Sequence, residues 1–450
     1  MFLFSMMIII PAIGQGSTYI GNRRQLVVLA AYSDQGFAGD SAQTVEQWKK
    51  IFNSQYVLED PFYGSIREYF FAQSYGQFDL SFDIHYMTLG SMSRYKSTST
   101  SDENSKYLVY DAIDTLKKRV TDWAPYDWDS DGKVDQLMIV FAGKGLGYGG
   151  SDMTVRPNQS RISSCDASAV KINNDYSVDV YCCAPEQDKS GGYGSFGIIC
   201  HEYSRCFGLP DLKDGTTSYV YTWDVMDYGF NNGSGYRPCG YSSFERAFMG
   251  WLTPEELVNP GTYTLSGLQS QPAAFIIRND AKADEYYLVE YRQKAGWDEK
   301  LPGTGILIFH VDYDEAAFKF GKPNTSSRQR YLIFAANNQP ECTSDNVKGW
   351  TYPKNGNNSL TNTSVPAAEL FNANTADSLF MSKPITEMSV SKSMGVASLR
   401  FNDLITGVGS FDRSGWAKDN SWFTIDGRRL EGKPEKQGLY IRNGKVFMIK

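Results

Sequence analysis

The sequence predicts an α+β protein: mixed helix and strand up to about residue 255, a strand-rich, β-sandwich-like region over 256–405, and a short β tail over 406–450. Three observations carry this expectation. Apolar residues recur at helical spacing in segments before residue 255 and in short alternating runs after it. Aromatic residues make up 14% of the chain, with 29 Tyr and 26 Phe, and favour sheet. At 450 residues the chain is long enough for several domains of roughly 100–200 residues each. With 41% hydrophobic and 21% charged residues the composition is that of a folded protein. The 44 basic and 51 acidic residues leave a net charge of -7, so there is no electrostatic footprint for sequence-independent nucleic-acid binding.

Residues 1–10 (MFLFSMMIII) form an apolar run followed by small residues, which reads as a signal peptide over 1–16, although the first cation is Arg23 and the usual basic start is missing. The bland alternative is a buried N-terminal strand. The run is too short to cross a bilayer, and no later stretch approaches ~18 uncharged apolar residues. The mature chain is therefore expected to be secreted or held at the cell surface, without a transmembrane segment, and monomeric. Its seven cysteines leave at least one unpaired. On one helix, Cys200 and Cys206 would stand about 9 Å apart, too far to bridge.

The elements follow in order. Residues 26–32 (LVVLAAY) read as a buried strand, 41–56 and 65–73 as helices, and 77–86 (QFDLSFDIHY) as a half-buried strand. Residues 105–123 carry a helical apolar pattern, with Lys117, Lys118 and Arg119 late in it, where the helix dipole favours cations. Residues 136–142 (QLMIVFA) are another buried strand. Beyond Pro254, runs at 262–265, 274–278, 286–291, 305–311 and 396–401 alternate as strands, and 339–374 reads as a long loop region. In the tail, 439–441 and 446–449 flank Asn443-Gly444, a strong hairpin signal.

The segment 195–212, SFGIICHEYSRCFGLPDL, carries the chemistry. At ~100° per residue Phe196, Ile199, Cys200, Tyr203 and Phe207 share one stripe, the mark of a helix packed on a core. Ser195 is a natural N-cap, and Gly208 with Pro210 a natural stop. His201 and position 205 stand four apart on the opposite face, with Glu202 beside them. An H-E-x-x-H helix grips zinc with two imidazoles and uses the glutamate as base for a metal-bound water. Here the fifth residue is Arg205, whose guanidinium has no lone pair to donate and repels a divalent ion. Gly208 and Asp211 complete H-E-x-x-R-x-x-G-x-x-D, in which the glycine turns the chain and the aspartate returns as a possible third ligand.

With this motif, residues 65–82 (SIREYFFAQSYGQFDLSF), 127–141 (DWDSDGKVDQLMIVF), 223–229 (WDVMDYG), 250–257 (GWLTPEEL) and 286–313 make the chain resemble the immune inhibitor A-like metallopeptidases of family M6, secreted zincins, over roughly residues 24–400. The resemblance implies a zincin-like metallopeptidase domain over 22–255, acting on proteins or peptides through a zinc-activated water. Carried over, His201 matches the first zinc ligand, Glu202 the general base and Asp211 the third ligand, while Arg205 stands at the lost one. Met226 looks like the methionine turn beneath the metal. Tyr228 is either an oxyanion-assisting group or a buried loop aromatic.

Two consequences follow for the site. Arg205 is expected to pair with Asp211 or Glu202, setting a fixed charge where the metal's would lie. His85 and His310 fall in strand patterns and read as packed or hydrogen-bonded residues, and Cys206 points away from His201, so none of them replaces the missing ligand. The sequence thus predicts a secreted metallopeptidase-like protein with impaired activity. The alternative is a catalytically inactive pseudopeptidase acting as a binding or surface-interaction protein.

A second candidate site is Asp127, Asp129, Asp131 and Asp135 with Gly132, the front of a calcium loop. Met138 stands where the loop's bidentate acid belongs, so an Asp/Gly-rich turn is the alternative. The glycine-rich run 143–150 (GKGLGYGG) lacks the G-K-[ST] ending of a phosphate loop and reads as a flexible segment near the cleft.

Overall fold

Seven consecutive buried residues from Gln25 onward make β1 (Gly21–Ala31) a strand covered on both faces, as a parallel strand requires. The computed structural model describes residues 19–55, 59–98, 101–166, 168–403, 421–424, 429–442 and 445–449; the expected signal peptide at 1–16 and the Asn443-Gly444 turn lie outside them. The chain divides into two compact units, Met1–Asn402 and Asp403–Lys450. Among the described residues no helix is long and apolar enough to cross a membrane.

In the first unit, β1 is followed by α1 (Ser41–Asn53), α2 (Ile66–Gln73), β2 (Phe78–Thr88), α3 (Lys106–Leu116), β3 (Lys133–Val134), β4 (Leu137–Lys144), β5 (Asn158–Arg161), β6 (Val170–Lys171), β7 (Ser177–Val178), β8 (Val180–Gln187), α4 (Ser195–Cys206) and α5 (Ser243–Phe248). The main sheet runs β2-β1-β4-β8-β5, parallel except for the edge strand β5, which pairs antiparallel with β8. Capping boxes start α1 (Asp40 with Gln43), α2 (Ser65 with Glu68) and α5 (Ser242 with Glu245), so each helix begins where a side chain can satisfy its first free N–H groups.

Periodicity overran two helices. The helix expected at 41–56 stops at Asn53, whose side chain turns to pair with Phe82 in β2. The one expected at 105–123 stops at Leu116, where Val120 N–H folds back onto the Leu116 carbonyl and Trp123 packs instead on Tyr126. Strand β8 carries no sequence signal, because Cys-Cys-Ala-Pro is not strand-like. Its Pro185 lies past the end of the β5 pairing, where that ladder needs no donor.

The second half of this unit contains β9 (Glu255–Glu256), β10 (Gly261–Ser266), β11 (Phe275–Arg278), β12 (Glu285–Arg292), β13 (Gly305–Asp312), α6 (Glu315–Lys319), β14 (Tyr331–Ile333), β15 (Ile385–Ser391) and β16 (Val396–Phe401). They form the sheets β14-β13-β12-β11-β9 and β10-β16-β15. Every residue of β12 and β13 is buried, and alternation divides them. Tyr286, Leu288, Leu307, Phe309 and Val311 join the core of the first half. Tyr287, Val289, Tyr291, Ile306 and Ile308 join a second core with Leu265, Ile385 and Phe401 of the three-stranded sheet.

A buried ionic hub ties the halves together at the end of β12. Arg292, with a fully buried side chain, donates to both Asp298 oxygens at 2.7 Å, to Glu290 at 3.0 Å and to the Gly240 carbonyl at 3.0 Å. His310 is buried on β13 with Nε2 2.8 Å from Glu285, a satisfied strand histidine, and His85 lies half-buried in β2. All seven cysteines are free. The second unit is a small antiparallel sheet, β18-β17-β19-β20, of β17 (Trp422–Thr424), β18 (Arg429–Leu430), β19 (Gly438–Arg442) and β20 (Lys445–Ile449).

Candidate active site

Helix α4 positions the motif. Its apolar stripe, Phe196, Ile199, Cys200, Tyr203 and Phe207, is buried against the sheet, and it packs on β8. Gly197 sits inside the helix, where glycine costs about 1 kcal/mol relative to alanine. Close approach explains it: a Cβ there would stand 1.9 Å from the Phe230 carbonyl oxygen. The N-cap is Gly194 rather than Ser195, whose hydroxyl donates to the Glu186 carbonyl at 2.9 Å, while Asp188 accepts from the N–H groups of Ser190, Gly192 and Gly194 in the turn before the helix. At the other end Gly208 turns the chain with φ +92°, a conformation open to glycine, and returns Asp211 beside the helix.

The returning segment is tied to the turn at Met226. Leu212 N–H donates to the Met226 carbonyl at 2.9 Å, and Met226, fully buried, donates its own N–H to Asp224 at 2.8 Å. Asp227 gathers the hydroxyl of Ser218 and the N–H groups of Tyr219, Val220 and Tyr221, and burial raises its pKa to about 6 despite these bonds.

His201 has its Nδ1 2.8 Å from the Val225 carbonyl. A carbonyl only accepts, so Nδ1 carries the proton and Nε2 keeps its lone pair. Burial, then repulsion from Lys213 and Arg205, lowers the His201 pKa to about 3, with Asp211 opposing, so the ring is neutral across the physiological range.

Arg205 pairs with Glu202, Nη1 to Oε2 at 2.9 Å. Of the two partners the sequence left open, this is the one bonded. Burial pushes the Glu202 carboxyl up and Arg205 pulls it back. Asp211 is engaged too: its Oδ1 accepts from the backbone N–H of Lys213 at 3.1 Å and forms an ion pair with that residue's Nζ at 3.1 Å. Burial raises the Asp211 pKa, but Lys213, His201 and Arg205 outweigh it and hold the carboxyl below its usual range.

Against known proteins, residues 40–252 match the family model described as the immune inhibitor A peptidase M6 catalytic domain. Those residues form an immune inhibitor A-like M6 peptidase domain. Over 135 residues the chain is also 29% identical to Immune inhibitor A of Bacillus thuringiensis subsp. alesti, a match covering 26% of this chain and 19% of that protein's length.

M6 peptidases are metallopeptidases, and the donor set of this M6 domain does not fit a zinc ion. Catalytic zinc takes three protein ligands and one open position. Here His201 Nε2 is uncommitted, one oxygen of Asp211 is held by an ammonium, and the remaining ligand position carries a guanidinium. Tyr228 is half-buried beside the site, its hydroxyl 3.4 Å from the Thr216 carbonyl and its ring face 5.5 Å from the Lys213 ammonium.

Sequence reasoning missed two residues of this site. Lys213 lies two positions past the motif and is only 12% exposed at its side chain; a cation beside the third-ligand position raises the same objection as Arg205 and could have been noticed. Tyr148, on the glycine-rich run, has its phenol pushed up by burial and by the neighbouring Glu202, Tyr228 and Asp211, but loop patterns carry no signal for such an approach.

In the acidic loop, Asp127, Asp129 and Asp135 offer ligand atoms within 4.8 Å of one another, the one such group of three among the described residues. Asp131 turns away, accepting the Lys133 N–H at 2.8 Å and pairing with its Nζ. The Asp127 carboxylate accepts from Asp131 N–H at 3.0 Å and Gly132 N–H at 2.9 Å. Burial, then Asp129, Asp127 and Asp131, raises the Asp135 pKa to about 7 against a bond from Trp128 N–H.

Proposed function

We propose that this chain is a catalytically silent M6-type peptidase, exported from the cell and retained to bind a protein or peptide. The observation that carries this reading is the Arg205 to Glu202 ion pair at 2.9 Å. Glu202 is the residue that would take a proton from an attacking water, and the Arg205 guanidinium already occupies its Oε2. Export rests on the apolar run at the start of the chain. We read the architecture as a zincin-like domain over 22–255, supported by the antiparallel edge strand β5 flanking α4's sheet, a β-sandwich-like domain over 256–405, supported by the two sheets sharing one core, and a tail over 406–450.

Casein incubated with the purified chain is expected to stay intact, with or without added zinc. Cleavage that zinc supports and a chelator abolishes would establish the second reading, a working zinc endopeptidase. One observation favours that second reading: His201 keeps the posture of a metal ligand, Nδ1 bonded to a carbonyl and Nε2 uncommitted.

Calcium at Asp127, Asp129 and Asp135 belongs to the same proposal, since three gathered carboxylate ligands suit a hard cation. Millimolar calcium is expected to raise the melting temperature of the wild-type chain and not that of Asp129→Asn. An equal shift in both, or none in either, means that the segment is only a turn.

A further inference from the structure

Arg205 accounts for one of the two carboxylates in the motif; the other is engaged by a residue outside it. The Lys213 ammonium is fixed from two sides. Asp211 Oδ1 lies 3.1 Å from it, and the ring faces of Tyr228 and Phe230 lie beneath it at 5.5 and 5.2 Å. The Phe230 ring in turn packs on His201 with centroids 4.9 Å apart, so the ammonium, the imidazole and Asp211 surround the same small volume. The Arg205–Glu202 and Lys213–Asp211 pairs leave the charges of these four side chains summing to zero. A dication added to that set would bring two uncompensated charges into a largely buried site.

We infer that Lys213 is the second half of a two-residue metal replacement, in which Arg205 and Lys213 each neutralise one carboxylate and both must be removed before zinc binds tightly. The inference rests on the silent-site reading above and goes beyond it. Restoring the motif histidine supplies a ligand, yet leaves Asp211 tied and a cation at contact range of the incoming ion. Lys213 is suited to this because its stem lies in a largely covered position and its head cannot swing away without leaving Asp211 and two ring faces.

The test is zinc affinity of the full chain, measured by competition with a chromogenic chelator, with circular dichroism and melting to confirm that each variant is folded. Wild type and Lys213→Met are expected to bind no zinc. Arg205→His should bind weakly, and Arg205→His with Lys213→Met about 10–100-fold more tightly. Arg205→His with Lys213→Arg, which keeps the charge, should stay as weak as Arg205→His alone. Lys213→Gln replaces Lys213→Met if the latter does not fold. Equal affinity of Arg205→His with and without the charge at 213 overturns the role of Lys213 while leaving the silent-site reading standing. Tight binding by Lys213→Met alone also overturns it. Stoichiometric zinc in the wild type overturns the silent-site reading itself.

Discussion

Arg292→Met is expected to cost the first unit about 3–5 kcal/mol of stability, the usual effect of removing one partner from a buried ion pair. The size follows from what is left behind. Asp298 and Glu290, both fully buried at their side chains, lose the guanidinium that accounts for their contacts at 2.7 and 3.0 Å, and the Gly240 carbonyl loses a donor. Water cannot replace these bonds without opening the junction between the two halves. Thermal melting should fall by about 4–6 °C. As a reference, Lys348→Met removes a pair whose side chains are 59% and 88% exposed, and should cost less than about 0.5 kcal/mol. Equal effects of the two substitutions would mean that the hub is not what joins the halves.

Arg205→Met is expected to destabilise the chain by about 1–3 kcal/mol near pH 8 and by less near pH 4. Glu202 is raised above its usual carboxyl value by burial, with Arg205 opposing. A carboxyl whose folded pKa exceeds its unfolded one contributes stability that is present below the unfolded value and lost as pH rises through the folded value. Removing Arg205 raises the folded pKa of Glu202 further, whereas Asp211, held as an anion below its usual range, loses a contribution that is already present near pH 4. The gap between variant and wild type therefore widens as pH climbs above the ordinary glutamate value of about 4.3, through the share that Glu202 adds. Denaturant midpoints from pH 4 to pH 8 would reveal it. A gap that does not change with pH means that Arg205 contributes only packing.

The motif helix was legible in the sequence nearly residue by residue, because a five-residue apolar stripe and a glycine stop leave little freedom. Its first turn was not: Ser195 looks like a cap, but its hydroxyl is spent on the Glu186 carbonyl, a contact with a strand that carries no pattern of its own. The same division runs through the rest. Strand β1 announced itself with branched and aliphatic residues, whereas β8 hid behind two cysteines and a proline although it lies beside α4. In the site, the lost ligand at 205 and its bond to Glu202 follow from spacing on one helix. Lys213 and Tyr148 reach the site by loop geometry, and the acidic loop keeps Asp131 outside its triad because Lys133 is a nearer partner.

The zinc content of the wild-type chain bears most directly on the replacement of the metal by two cations. Protein purified from zinc-supplemented medium and analysed by elemental mass spectrometry is expected to carry essentially no zinc. About one zinc per chain, retained through dialysis, would contradict that replacement and return the M6 domain to the working peptidases.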